Sequence, residues 1–219
     1  MESLILTVFL VLFGLEFIVE FALNELNLNH VRACWAAKRV PDCFAGELST
    51  EDYEKSVQYT LANGRFQRWS EVYDRLLGLI ILFGALPWLD HIAGRLAPYL
   101  PIGGYSQGIL FCFSVALISA VAGLPTDLYS TFRLEAKFGF NKTTVGLYIS
   151  DKVKGLVLAL AIGAPFILTI LWLMDVMGPH WWLWAFVFVT GFQLLMIIIF
   201  PTFIAPWFNK FEPLKEGEF

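Results

Sequence analysis

The chain has 219 residues, of which 58% are hydrophobic, 16% aromatic and 16% charged, and its mean hydropathy is +0.65. A soluble domain carries about 25% charged and about 45–50% apolar residues, so a single soluble core is excluded and lipid is the expected solvent. The formal net charge of −4 argues against nucleic acid as a partner, since its backbone is held by clustered Lys and Arg. Three cysteines, Cys34, Cys43 and Cys112, form neither a disulfide framework nor a zinc-like CxxC pair. Free thiols facing lipid or a reducing compartment are expected.

A membrane helix needs about 20 mostly apolar residues to cross about 30 Å of hydrocarbon. The first such run covers residues 3–23. It begins Met1-Glu2-Ser3 and has no Lys or Arg before Arg32, so it lacks the basic start of a signal peptide and is read as a span. Glu16 and Glu20 sit four apart on it, hence on one helix face. Ionisable groups within spans are expensive and usually face a bundle interior or an aqueous cavity. Two fates are open for the pair: lining a chamber, or a snorkelling Glu20 with a neutral, hydrogen-bonded Glu16.

The loop over residues 24–75 is long enough to hold structure. Val40-Pro41-Asp42 and Gly46 punctuate it, and Ser49 or Thr50 then opens a helix with Glu51 or Asp52 in its first turn. Tyr53, Val57 and Leu61 give that helix an apolar stripe. Phe66, Trp69, Tyr73 and Leu76 carry the spacing into a second span, 76–96, which Pro87 should kink. Such a helix is read as interfacial, with a gate for an amphipathic substrate as the alternative.

The third span is 107–124 and leads into a second polar loop, 125–154. Pro125-Thr126-Asp127 reads as a helix start. Leu128, Phe132 and Leu134 are its apolar residues; Tyr129, Arg133, Glu135 and Lys137 are its polar ones. Gly139 suits the left-handed position just past a helix end, and Asn141 is expected to cap the next helix. The fourth span, 155–174, contains Pro165; the fifth, 181–205, contains Gln193; a tail, 206–219, follows. Fourteen of the fifteen Lys and Arg fall in the 24–75 and 125–154 loops and the tail, with Arg95 alone on the other side. By the positive-inside rule those loops are cytoplasmic and the N-terminus is outside. The expected fold is all-α and integral to a membrane, one domain of five transmembrane helices with two helical cytoplasmic loops.

Two segments on that shared side carry more than hydropathy. Pro125, Tyr129, Phe132, Glu135, Phe138, Gly139, Phe140 and Asn141 form P-x-x-x-Y-x-x-F-x-x-E-x-x-F-G-F-N after the third span. Ile204, Ala205, Pro206, Phe208, Lys210, Phe211, Pro213, Leu214 and Gly217 form I-A-P-x-F-x-K-F-x-P-L-x-x-G as the fifth span ends. Both resemble segments of the type I CAAX prenyl endopeptidases, integral-membrane zinc metalloproteases. The resemblance implies a ring of helices around a water-filled chamber, capped by a catalytic region whose HExxH helix supplies two zinc-binding His and a general-base Glu. It implies a peptide or prenylated-protein substrate, contacts of the chamber or catalytic region with Glu135, Asn141, Tyr129, Arg133, Glu16 and Glu20, and lipid as the other partner. Arg32 and Val40-Pro41 look more like bacterial members, so the bacterial inner membrane is the expected location.

The departure is at the metal. His30, His91 and His180 are far apart, and the sequence contains no HExxH. The chain is therefore expected to be a membrane part truncated before its zinc motif, with no catalytic residue and no metal ligand of its own. A non-catalytic membrane scaffold and a transporter, the latter suggested by Glu16 and Glu20, are the competing classes; no internal repeat supports a transporter.

Overall fold

A computed structural model of the chain describes residues 2–36 and 49–209. Regular structure among these residues is entirely helical. In order it comprises α1 (Glu2–Ala36), α2 (Thr50–Ile80), α3 (Leu86–Leu96), α4 (Ser106–Tyr129), α5 (Ala136–Phe138), α6 (Val145–Val176), α7 (Trp181–Ile199) and α8 (Ala205–Phe208). Five helical stretches, Ser3–Ala36, Thr50–Tyr99, Gly103–Phe138, Val145–Val176 and Gly178–Phe208, are long and apolar enough to cross a membrane. Each holds one of the apolar runs read from the sequence. Their apolar side chains stay uncovered by protein: Ile5 is 67% exposed, Phe186 68% and Ile197 68%. An apolar surface that continuous is stable only against lipid.

Wide π turns interrupt three of these stretches, at Ile81–Ala85, Ser130–Glu135 and Phe200–Ile204. The first immediately precedes Leu86-Pro87, and the third contains Pro201 just before Pro206. Proline removes a helical N–H and its ring crowds the carbonyl four residues back; an extra residue in the turn relieves that crowding. Pro125 is different. The expected helix start there is overturned, because Pro125 lies inside α4. The chain behind it was already helical, so its N-cap signals had no terminus to cap; the Thr126 hydroxyl instead donates back to the Gly123 carbonyl at 2.9 Å.

The chain divides into two compact units. The first comprises Met1–Leu86 and Ile118–Lys142. Its α1 and α2 run antiparallel: Leu28 meets Gly64, Glu25 meets Arg68, and Glu20 meets Arg75. A Cβ at Gly64 would overlap the Leu28 side chain, so this glycine sets how closely the two helices approach. Ser49 caps α2 as expected, its hydroxyl accepting from the Asp52 N–H at 3.0 Å and donating to the Asp52 carboxylate at 2.6 Å.

The second unit comprises Pro87–Leu117 and Thr143–Phe219. Within it, Gly108 lies under Leu171 and Gly163 under Phe113, so α4 and α6 pack antiparallel through small residues. Tyr105 donates to Asp175 at 2.9 Å, and Gln107 to Asp90 at 2.9 Å. Phe166 packs on Phe188 and Phe192 to join α6 to α7. Lys154 donates to the Trp207 carbonyl at 3.0 Å and lies over the Phe208 ring, which ties α8 to the start of α6.

Candidate functional site

The residues that the sequence singles out as candidate contacts all fall in the first unit, and α2 organises them. Residues two apart on a helix point about 200° apart around its axis, so they serve opposite faces. Arg68 and Arg75 face α1. Phe66 and Tyr73 face the arm formed by the end of α4, the turn Ser130–Glu135 and α5.

On the α1 face, Arg75 donates to Glu16 at 3.2 Å, to Glu20 at 2.5 Å and to the Phe13 carbonyl at 3.5 Å. Its guanidinium also sits 5.1 Å and 5.2 Å from the Phe13 and Phe17 ring centroids. One cation thus serves both carboxylates of the first span and stacks on their aromatic neighbours. Two turns along α2, Arg68 donates to Glu25 at 2.5 Å, and Arg32 donates to the other oxygen of the same carboxylate at 3.0 Å.

The opposite face is aromatic. Tyr73 donates to the Ala122 carbonyl at 2.7 Å, and Phe66 stacks on Tyr129 with centroids 5.1 Å apart. Tyr59 meets Phe138 and Phe140 edge-on at 5.4 Å and 4.8 Å. Positions 59, 66 and 73 are seven apart, a seam spacing that keeps one helix face on an antiparallel partner. Tyr59 escaped the sequence reading, and this spacing is the signal that could have found it. Leu134 and Phe138 are the buried residues of the arm's turn and of α5, and Phe132 belongs to the same π turn as Leu134.

The stretch from Glu135 to Asn141 is a helix end. Gly139 adopts φ +77°, the left-handed conformation expected of it. The Gly139 N–H donates to the Ala136 carbonyl at 3.2 Å and the Phe140 N–H to the Glu135 carbonyl at 3.0 Å, the two bonds of a Schellman motif. The Asn141 N–H also turns back to the Glu135 carbonyl at 3.4 Å. That bond explains one correction. Asn141 still belongs to the turn, so the next helix is capped by Thr144, whose hydroxyl accepts from the Leu147 N–H at 3.2 Å. Glu135 is half-buried, while Tyr129 and Arg133 are exposed on the arm.

In the second motif, Pro206 and Phe208 lie in α8. Lys210, Phe211 and Pro213 are outside the described residues, as are Val40, Pro41 and Cys43. Cys34 and Cys112 are free thiols. Among the described residues no three His, Cys, Asp or Glu side chains converge on a point where a metal could sit. The donor set does not fit zinc, and no step of peptide hydrolysis is assigned to these residues.

Comparison with known proteins places this architecture. Residues 30–210 match a family model described as CAAX prenyl protease N-terminal, five membrane helices. A curated human CAAX prenyl protease 1 homolog is 35% identical over 183 residues, covering 82% of this chain and 38% of that protein. The Arabidopsis thaliana homolog is 36% identical over 185 residues, 82% of this chain and 43% of that protein. CAAX prenyl protease 1 of Saccharomyces cerevisiae is 35% identical over 189 residues, 82% of this chain and 41% of that protein. A crystal structure of S. mikatae Ste24p superposes with a TM-score of 0.79 at 31% identity, covering 95% of this chain and 49% of that one. The chain thus spans about two fifths of the length of these curated relatives. They are human, plant and yeast proteins, so they lend nothing to a bacterial inner membrane, which rests on Arg32 and Val40-Pro41 alone. The five apolar helices and the match over residues 30–210 lead to one conclusion: the chain belongs to the CAAX prenyl protease N-terminal family and is a multi-pass integral membrane protein.

Proposed function

We propose that this chain is the membrane half of a zinc metalloendopeptidase that acts on prenylated or membrane-associated proteins, with its basic loops in the cytoplasm and its N-terminus outside. The family match over residues 30–210 carries the reading. The zinc and the general base are assigned to an HExxH helix that this sequence does not contain; bound there, the metal would supply the activated water. The work of the present residues is positional. The aromatic seam of α2 holds the turn at 135–141 in one place, at the mouth of the chamber beside the catalytic region. The Lys154 tether holds α8 where the chain runs on toward that region.

Two experiments test this. A thiol introduced at Ser56 should react with an impermeant reagent from the cytoplasmic side alone; labelling only from outside would overturn the sidedness. The full-length protein should cleave a farnesylated C-terminal peptide and stop when zinc is chelated. An inert full-length protein would return the chain to the scaffold class.

A further inference from the structure

Between α2 and its arm lies an open cleft of about 660 Å3 whose lining is unusual in charge. Arg65, Arg133 and Lys137 line it together with Phe66, Trp69 and Tyr129, and no acidic side chain does. The ion pairs described for Arg32, Arg68, Arg75 and Lys154 include none of the three cleft cations. Elsewhere on the same helix each arginine facing α1 has its carboxylate. Three cations around one cavity whose lining holds no carboxylate call for an anion.

The depth of the cleft says which anion. The apolar runs end at residue 23 on α1, begin at 76 on α2 and end at 124 on α4. The structure brings these ends to one level, since Arg75 meets Glu20 and Tyr73 meets Ala122. Trp69 lies seven residues beyond that level on α2 and Tyr129 five residues beyond it on α4. At 1.5 Å per residue, both rings stand roughly 8–10 Å past the hydrocarbon edge, within the headgroup layer. Trp69 is 77% exposed and Tyr129 53%, as expected of aromatic residues that face a bilayer interface.

We propose that this cleft binds the phosphate of an anionic phospholipid. Arg65, Arg133 and Lys137 surround the phosphate, and Phe66, Trp69 and Tyr129 pack against the glycerol and the first acyl carbons. The site rests on the membrane placement of the chain and is independent of proteolysis, so its failure would leave the protease reading untouched. A lipid held here would fix the arm, and with it the turn at 135–141, at a set depth.

The test uses the full-length protein in neutral detergent, titrated with phosphatidylglycerol or phosphatidylcholine carrying brominated acyl chains. Trp69 is the reporter, read as the fluorescence lost between wild type and Trp69→Phe. Brominated phosphatidylglycerol should quench Trp69 at far lower mole fraction than phosphatidylcholine. A basic residue near an anionic lipid surface is worth about fivefold in affinity, so Arg65→Gln with Arg133→Gln should weaken the anionic lipid about 25-fold. Arg65→Lys with Arg133→Lys keeps the charge and should keep the preference, as should Arg95→Gln in the other unit. Millimolar inorganic phosphate should not displace the lipid. Equal quenching by both lipids, a preference that survives the double Gln variant, or a preference lost in the Lys variant would each overturn the proposal. Displacement by free phosphate or by a soluble acidic peptide would overturn it too, assigning the cleft to a free anion or a protein partner.

Discussion

The two faces of α2 hold their neighbours by different means. Toward α1 the helix offers Gly64 for close approach and then arginines, each met by carboxylates: Arg68 by Glu25, Arg75 by Glu16 and Glu20. Toward the arm it offers Tyr59, Phe66 and Tyr73, met by ring faces and one carbonyl. Arg75 stands at the edge of an apolar run, where an unpaired charge is costly and a paired one fixes register. The aromatic face spans much the same stretch of α2, and its rings bury area at little entropic cost and tolerate small shifts. The first face therefore anchors, and the second positions.

The largest effect should come from breaking the anchor. Arg75→Met strands Glu16 and Glu20 at the edge of the membrane and should destabilise the protein by about 2–3 kcal/mol. Thermal unfolding in detergent would show it, and Glu16→Gln with Glu20→Gln in the same background should restore most of the loss. If the triple variant melts no higher than Arg75→Met, the charges are not what the anchor consists of. On the positioning face, Gly139→Ala forces a side chain into the left-handed region and should cost about 1–2 kcal/mol. The change should be local, seen as faster amide exchange over 135–141 with α1 unaffected; an unchanged exchange rate would contradict the turn. Tyr59→Leu keeps an apolar side chain but removes two edge-on ring contacts, together worth about 1 kcal/mol, the low end for aromatic pairs because Phe140 is exposed. Its effect should fall at or below that of Gly139→Ala and be insensitive to salt. A loss as large as that of Arg75→Met would erase the distinction between the faces.

Much of this was legible in the residues. The five apolar runs, the Ser49 cap and the left-handed Gly139 depend on local chemistry, so a short window reveals them. Partnership at long range is not local. Glu16 and Glu20 advertise a shared face, but their partner lies 55 to 59 residues away among seven basic residues of equal standing in the same loop. The cap of α6 was misplaced by three residues because Asn141 and Thr144 are both good caps, and only the bond from Asn141 to Glu135 decides between them. Pro125 misled for the opposite reason: its local signal is strong, and the helix already running through it overrides it.

The central claim is that the turn at 135–141 is placed by the membrane unit for a proteolytic centre held elsewhere. Cleavage of a farnesylated peptide by the full-length protein, with zinc content assayed in parallel, tests it most directly. Glu135→Ala and Asn141→Ala should each reduce the cleavage rate while about one zinc per chain is retained, as expected of residues that touch no metal. If both variants cleave at the wild-type rate, the turn is only a connector between helices, and the claim fails.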